Sequence, residues 1–183
     1  MSIFFTADHH FGHSNLIPYQ KRPFANVEEM NETLIQRWNE AVKPRDTVYH
    51  LGDVSLLRPE RTREILDRLN GKIFLIRGNH EKSAEDKVCA SRFEWIKDYH
   101  FLSLNDGIKI ALMHYAMRVW DRRHYGAWHL YGHSHGHLPP EEGRFALDVG
   151  VDCWDFRPVP LFTIRDKMIE RGWSPMTPRP SKT

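Results

Sequence analysis

Cysteine is scarce in this chain of 183 residues, and long apolar runs are absent from it. The two cysteines, Cys89 and Cys153, form no CxxC pair, so the sequence predicts neither a disulfide framework nor a thiolate metal site. No stretch approaches the roughly 18 apolar residues of a membrane-spanning helix, and no signal-type segment follows Met1. We therefore expect a cytoplasmic protein that has no membrane partner.

A large excess of one charge is also lacking. The 26 Lys and Arg residues are nearly balanced by 24 Asp and Glu residues, which gives a formal net charge of +2 and a pI near 8.6. This balance does not favour a surface that coats a polyanion, so nucleic acid is the less favoured partner. The length predicts a single domain over residues 1–173. The Pro-, Ser- and Thr-rich end predicts a flexible tail over 174–183.

Apolar periodicity predicts alternating strands and helices in the first half of the chain. The predicted strands are 2–7, 47–51 and 72–76, and the predicted helices are 27–42, with Asn26 as N-cap, and 59–70. This β-α-β-α-β order favours a parallel sheet. The second half is predicted to contain strands at 108–113, 127–132 and 144–149 and a final helix at 161–172. The fold class is therefore α/β, layered, with a mixed sheet or a pair of sheets.

Histidine is abundant, with twelve copies, and polar residues cluster where predicted strands end. The stretch TADHHFGH, residues 6 to 13, places Asp8 and His10 directly after the first strand. Other polar residues follow the later strands: Asp53, Asn79, His80, His114, His133 and His135. The carboxyl ends of strands in an open α/β sheet face one crevice, so we expect these side chains to converge there.

The spacing and the chemistry of these residues indicate bound metal. In an extended chain, residues i and i+2 point the same way, which pairs Asp8 with His10 and His133 with His135 and turns His9 away. Imidazole, carboxylate and amide ligands without thiolates favour Mn, Fe, Zn or Ni. The seven of these groups other than His80 are too many for one ion, whereas two ions that share a carboxylate leave positions for water and substrate. The sequence therefore predicts two divalent metal ions.

The ordered motifs DxH, GD, GNHE, H and GHxH resemble the signature of the calcineurin-like metallophosphoesterase superfamily, and they span residues 8 to 135. The resemblance implies a four-layer α/β/β/α sandwich with mixed sheets and a metal-dependent phosphoric ester hydrolase. It implies the following metal ligands: Asp8, His10 and His135 on one metal, Asn79, His114 and His133 on the other, and Asp53 bridging both. We expect Mn to support activity in an assay.

Two adjacent metal ions are expected to supply a bridging hydroxide that attacks phosphorus. The resemblance implies that His80 is the catalytic residue that protonates or stabilises the leaving-group oxygen. Four further side chains are predicted to contact substrate: His13, Asn15, Arg22 and Arg118. The alternative for His13 and Asn15 is capping of a loop, and the alternative for Arg118 is a solvated loop over residues 117–129.

Three functions remain open at this point. The first is hydrolysis of a phosphomonoester or phosphodiester of a nucleotide or another small substrate. The second is a nuclease that uses the same metals on short or single-stranded nucleic acid, and the third is a non-catalytic binding scaffold. The stretch GDVSLLR differs from the GDxxDRG motif of protein serine/threonine phosphatases, which disfavours that activity. The resemblance is instead to small single-domain phosphoesterases of bacteria and phages.

Overall fold

The computed structural model describes residues 1–139 and 144–174, and this part of the chain contains five α-helices and two β-sheets. The helices are α1 (Leu16–Tyr19), α2 (Val27–Ala41), α3 (Pro59–Arg68), α4 (Lys87–Ala90) and α5 (Leu161–Glu170). The strands are β1 (Ile3–Thr6), β2 (Thr47–His50), β3 (Lys72–Ile76), β4 (Phe93–Lys97), β5 (Tyr99–Ser103), β6 (Lys109–Met113), β7 (Trp128–Tyr131), β8 (Ala146–Asp148) and β9 (Val159–Pro160). The predicted flexible tail lies, except for Ser174, outside the described residues.

The first sheet has the strand order β4-β3-β2-β1-β9. Strands β1 to β4 run parallel to one another, and β9 runs antiparallel to β1. In this register Thr6 lies beside His50, and His50 lies beside Leu75. Strands β1, β2 and β3 therefore end close to the same level, and the segments that follow them leave the sheet at one edge.

The second sheet has the strand order β5-β6-β7-β8, with β5 antiparallel to β6 and the other pairs parallel. The chain leaves β6 and β7 at the same level, because the Gly132 N–H donates to the His114 carbonyl at 2.9 Å. The two sheets meet where their strands end: Ala7 forms a parallel bridge with Gly150, and the Val151 N–H donates to the Ala7 carbonyl at 3.0 Å. This meeting point brings the polar segments of both sheets together.

Alternation along the strands divides the side chains between separate cores. Phe4 faces the helices, in a cluster with Leu34 and Trp38 of α2, whereas Phe5 faces the second sheet and packs with Leu112 and Trp128. Burying a large apolar side chain completely contributes about 1.5–3 kcal/mol. The two cores thus hold the strand ends in fixed positions. Among residues 1–139 and 144–174, no helix combines the length and apolar character that crossing a bilayer requires.

On the other face of the second sheet, a smaller cluster contains Ala111, Trp120 and Ala127. His129 is fully buried on this side, where Nδ1 donates to the Ala111 carbonyl at 3.0 Å and Nε2 accepts from the Met117 N–H at 3.0 Å. Burial lowers the pKa of His129 to about 4. The imidazole is therefore neutral near pH 7.

The predicted layered α/β fold with mixed sheets is confirmed, and the predicted elements are present, most of them slightly shorter than predicted. Asn26 caps α2 as predicted, because its side chain accepts from the Glu29 N–H at 2.8 Å. Strands β4 and β5 were not predicted; in β4 the charged residues Glu94 and Lys97 interrupt the apolar pattern. The helices α1 and α4 and the strand β9 were also missed because each has four residues or fewer.

Candidate metal centre

The chain segments that follow β1 and β2 remain side by side after the strands end. The Asp8 N–H donates to the Gly52 carbonyl, and the His10 N–H donates to the Asp53 carbonyl, each at 3.0 Å. These bonds continue the pairing of the two strands for several residues. The DxH and GD motifs are therefore joined by their backbones before any side chain is considered.

The backbone at the predicted ligands is not extended. Positive φ angles occur at five of them: Asp8 (60°), His10 (51°), Asp53 (59°), His133 (66°) and His135 (47°). The expectation that alternation in an extended chain aligns these side chains is therefore wrong. Left-handed backbone is unfavourable for residues other than glycine, and it persists where the surrounding structure imposes it. The strained turns, rather than strand alternation, aim the side chains.

Three predicted ligands form a first group, Asp8, His10 and His135, whose ligand atoms all lie within 4.8 Å of one another. The His10 and His135 rings are stacked, with centroids 5.3 Å apart. Both carboxylate oxygens of Asp8 accept from the His133 N–H, at 3.0 and 2.9 Å. The first group could hold one metal ion.

A second group consists of Asp53, His114 and His133, again with ligand atoms within 4.8 Å of one another. His114 is fully buried, and its Nδ1 lies 2.7 Å from the Leu51 carbonyl. Because a carbonyl only accepts, Nδ1 carries the proton and Nε2 keeps its lone pair. The Asn79 side-chain oxygen lies 3.1 Å from this Nε2. The second group, extended by Asn79, could hold another ion.

Asp53 belongs to the second group and also approaches the first. Its Oδ2 is 3.4 Å from His10 Nε2 and 3.5 Å from His114 Nε2, so the same oxygen approaches one imidazole of each group. Its Oδ1 accepts from the His80 N–H at 2.8 Å. A carboxylate in this place can be shared between two ions.

The backbone at two glycines lies very close to the two buried carboxylates, Asp8 and Asp53. A Cβ atom at Gly78 would lie 2.2 Å from Asp53 Oδ1, and one at Gly150 would lie 2.6 Å from Asp8 Oδ2. Real Cβ contacts are essentially never shorter than 3.0 Å. Only glycine lets the backbone approach the carboxylates this closely.

The site concentrates buried groups whose charge is unfavourable without a cation. Burial, followed by the nearby Asp148 carboxylate, raises the pKa of Asp8 well above its usual value. Burial and then Asp53 raise the pKa of Glu81 to about 8. Burial and then His135 lower the pKa of His10 to about 2, so this imidazole stays neutral. A bound cation would favour the ionised carboxylates and needs neutral imidazoles.

The predicted catalytic residue, His80, lies on the open side of the site. His80 is exposed, and its ring centroid is 5.5 Å from that of His10. His13 is half-buried, with its ring centroid 5.5 Å from His10 and 6.3 Å from His80. Burial and then His80 lower the pKa of His13. The two imidazoles thus stand over the first group.

The other three predicted substrate contacts have different surroundings. The Arg22 side chain is completely buried and bound to Asp152, which contradicts a substrate contact because its guanidinium cannot reach solvent. Asn15 is exposed at the start of α1 and forms no side-chain cap there. Arg118 is exposed, and its carbonyl accepts from the Arg144 guanidinium. Asn15 and Arg118 remain predictions.

Three residues at the site were not identified from the sequence. Asp148 accepts from the Gly136 N–H at 2.9 Å, Asp152 lies 2.7 Å from His135 Nδ1, and the exposed Tyr115 ring lies 4.8 Å from that of His133. Asp148 and Asp152 stand at and after the end of β8. The strand-end criterion that located the other residues could have found them.

Comparisons with known proteins identify the family of this chain. The family model of the calcineurin-like phosphoesterase superfamily domain matches residues 1–149. An uncharacterized protein of Methanocaldococcus jannaschii is 37% identical over 177 residues, which cover 93% of this chain and 92% of that protein. The gene 66 protein of Mycobacterium phage D29 is 28% identical over 203 residues, which cover 93% of this chain and 98% of that protein.

The crystal structure of a protein of unknown function from Aquifex aeolicus has the same fold, with a TM-score of 0.67 and 23% sequence identity. The match covers 91% of this chain and 98% of the Aquifex chain. The family model and the ordered motifs lead to one conclusion. The chain belongs to the calcineurin-like phosphoesterase superfamily.

Proposed function

We propose that this protein is a phosphoric ester hydrolase that uses two divalent metal ions on a small phosphate ester, such as a nucleotide. The observation that carries the proposal is the position of Asp53. Its Oδ2 lies 3.4 Å from His10 Nε2 and 3.5 Å from His114 Nε2, between two groups that could each hold an ion.

The residues fit metal ions in their chemistry. Both ring nitrogens of His10 are buried and have no hydrogen-bond partner within residues 1–139 and 144–174. An unpaired buried polar atom is costly, and a metal ion would use the lone pair. Donors of nitrogen and oxygen without thiolates suit Mn, Fe, Zn or Ni. We assign Asp8, His10 and His135 to one ion, the second group with Asn79 to the other, and Asp53 to both.

Two ions held there supply Lewis acidity, which acidifies water and neutralises charge on a phosphoryl oxygen. The protein contributes the remaining steps. Asn79 provides a neutral oxygen, which adds no negative charge where a phosphate must bind. The buried walls around Asp8 and Asp53 exclude bulk water and strengthen electrostatic interactions inside the site.

His80 is proposed as the general acid. Its ring is exposed on the open side of the site, while its backbone N–H is fixed to Asp53 Oδ1. The backbone bond holds the residue, and the ring remains able to reach a leaving-group oxygen. His13, on the same side, is proposed to hydrogen-bond a phosphoryl oxygen. General acid catalysis of this kind contributes about 10²–10⁴-fold to the rate.

A nuclease acting on short single strands is the second candidate, because the loop beside the site is basic and aromatic. Its arginines at 118, 122 and 123 are exposed, as are Tyr115 and Tyr125. Basic residues that track a backbone and aromatic rings that stack on bases are typical of single-strand binding. The net charge of +2 favours the small substrate.

The test compares substrates on metal-stripped protein to which Mn or Ni is restored. The substrates are bis-p-nitrophenyl phosphate, p-nitrophenyl phosphate, cyclic nucleotides and single-stranded oligonucleotides. Hydrolysis of the small esters with added metal supports the proposal, and preferential cleavage of oligonucleotides supports the nuclease. No hydrolysis of any substrate with either metal would leave only the non-catalytic scaffold.

His80→Ala tests the assigned acid, with His124→Ala as the matched control because His124 is an exposed histidine of the neighbouring loop. We expect His80→Ala to lower turnover by about 10²–10⁴-fold and to keep both metals. His124→Ala should retain activity. Equal turnover in the two variants would remove His80 from the mechanism.

A further inference from the structure

A buried ion pair stands directly behind the first ligand group. The guanidinium of Arg22 donates from Nε to Asp152 Oδ1 and from Nη2 to Asp152 Oδ2, each at 2.8 Å. The Arg22 side chain is completely buried, and only 11% of the Asp152 side chain is exposed. A buried charge is costly unless it is paired and hydrogen-bonded. Charged side chains at a surface keep a protein soluble, but this pair is buried next to the ligands. Its position therefore needs another explanation.

The carboxylate of this pair also contacts a ligand. Asp152 Oδ2 lies 2.7 Å from His135 Nδ1. A carboxylate can only accept, so Nδ1 carries the proton and Nε2 presents its lone pair to the site. Histidine ligands commonly donate their other N–H to a carboxylate, which fixes the tautomer and the ring orientation.

The guanidinium contacts the segment that carries the other two ligands. Arg22 Nη2 donates to the Asp8 carbonyl at 2.7 Å, and Nη1 donates to the His9 carbonyl at 3.0 Å. These two carbonyls lie between Asp8 and His10 in the chain. Both ligands have positive φ, an unfavourable conformation that needs support from its surroundings. One guanidinium holds both peptide groups of this strained turn.

We propose that Arg22 and Asp152 are positioning residues that assemble Asp8, His10 and His135 as one metal-binding unit; this rests on the proposed function. Asp152 sets the tautomer of His135, and Arg22 fixes the turn between Asp8 and His10 and joins it to Asp152. The second group has a different support, since His114 is oriented by the Leu51 carbonyl. Loss of the pair should therefore weaken one of the two metal positions selectively.

The fork of the guanidinium explains why arginine is needed. Arg22 donates four hydrogen bonds to oxygen atoms, two to a carboxylate and two to carbonyls. Lysine is a compact point charge and cannot reproduce this geometry. Arg22→Lys keeps the charge and the ion pair, so a defect in this variant would identify geometry, rather than charge, as the contribution of Arg22.

The first measurement uses metal-free protein and does not depend on turnover. Nitrogen-15 chemical shifts of His135 should report an Nδ1–H tautomer in the wild type and a mixture with Nε2–H in Asp152→Ala. Asp155→Asn is the control, because Asp155 is an exposed aspartate three residues further on that pairs with Arg37. An unchanged tautomer in Asp152→Ala would overturn the proposal.

The second measurement is Mn titration by calorimetry. We expect Asp152→Ala and Arg22→Lys to lose about 10–100-fold in affinity at one of two positions and to keep the other, while Asp155→Asn keeps both. Unchanged affinities, or an equal loss at both positions, would overturn the proposal. Should Asp152→Ala not fold, Arg22→Lys carries the Mn titration alone, with the same expected loss at one position and the same outcomes against the proposal.

These results separate the inference from the proposed function. A wild-type protein that binds two Mn ions and hydrolyses no ester would contradict the hydrolase and leave the positioning role intact. Suppose instead that the wild-type protein hydrolyses esters and that Asp152→Ala changes neither the His135 tautomer nor the Mn affinity. This result would contradict the positioning role and leave the hydrolase intact.

Discussion

Gly78→Ala tests how closely the backbone must approach the shared carboxylate. The new Cβ would lie 2.2 Å from Asp53 Oδ1 and 2.5 Å from the Asp53 backbone nitrogen. Ordinary contacts begin at 3.4 Å, so the carboxylate or the turn would have to move by about 1 Å. The backbone nitrogen cannot move without displacing the turn that also carries Val54. The substitution therefore disturbs Asp53 without changing its chemistry.

The expected magnitude has two parts. Overpacking of this kind destabilises a protein by about 1–3 kcal/mol, which denaturant unfolding of the metal-free protein measures. Displacement of a reacting group by 1 Å reduces turnover by about 100-fold. Because Asp53 Oδ2 approaches both His10 and His114, we also expect weaker Mn binding at both positions. Calorimetry with Mn and hydrolysis of bis-p-nitrophenyl phosphate measure these effects.

Gly107→Ala is the control for this experiment. A Cβ there meets nothing within 4 Å, but its φ of +85° makes an alanine strained. The cost should be about 1–2 kcal/mol of stability with no change in metal binding or turnover. Wild-type metal affinity and turnover in Gly78→Ala would refute the assignment of Asp53 as the shared ligand held by close backbone contact.

Two further predictions address the ligands and the dependence of stability on pH. Asp53→Asn should lose both metals more readily than Asn79→Ala, which removes a ligand of one ion only; metal analysis after dialysis tests this, and equal retention of two metals in both variants would contradict the bridging assignment. The second concerns His129, whose pKa is lowered to about 4 by burial, so the unfolded state binds more protons as the pH falls below about 6.5. The neutral His129 therefore contributes its full share of stability above about pH 6.5, and this share is lost between about pH 6.5 and pH 4. The free energy of unfolding should be lower by about 2 kcal/mol at pH 5 for this reason. His129→Gln should therefore lose less stability between pH 7 and pH 5 than the wild type, and parallel pH profiles from denaturant unfolding would count against this prediction.

The sequence was sufficient where a local pattern determines the structure. The cap at Asn26 and the apolar periodicity of α2 involve neighbours within a few residues, so the sequence located this helix within one residue of its observed end. Strand β3 was located without error. The edge strand β4 escaped prediction because its exposed face carries charged residues such as Glu94, and its pairing with β3 is a tertiary property.

Arg22 shows how a local interpretation can fail. From the sequence it was a basic residue near a predicted phosphate site, which is typical of a substrate contact. Its partner Asp152 lies 130 residues further along the chain, and no local pattern connects them. Only the folded chain shows that the guanidinium is buried behind the ligands rather than open to a substrate.

The sequence by itself determined which donors are available and that they stand where strands end, because strand periodicity and side-chain chemistry are local properties. It also indicated the superfamily through the order of the motifs. The resemblance also implied how the donors divide between two metals. The tertiary structure decided how each group is brought together, because that depends on left-handed turns at Asp8, His10 and Asp53 and on the junction of Ala7 with Gly150. These contacts join segments that are distant in the chain, and their geometry arises only when the two sheets pack together.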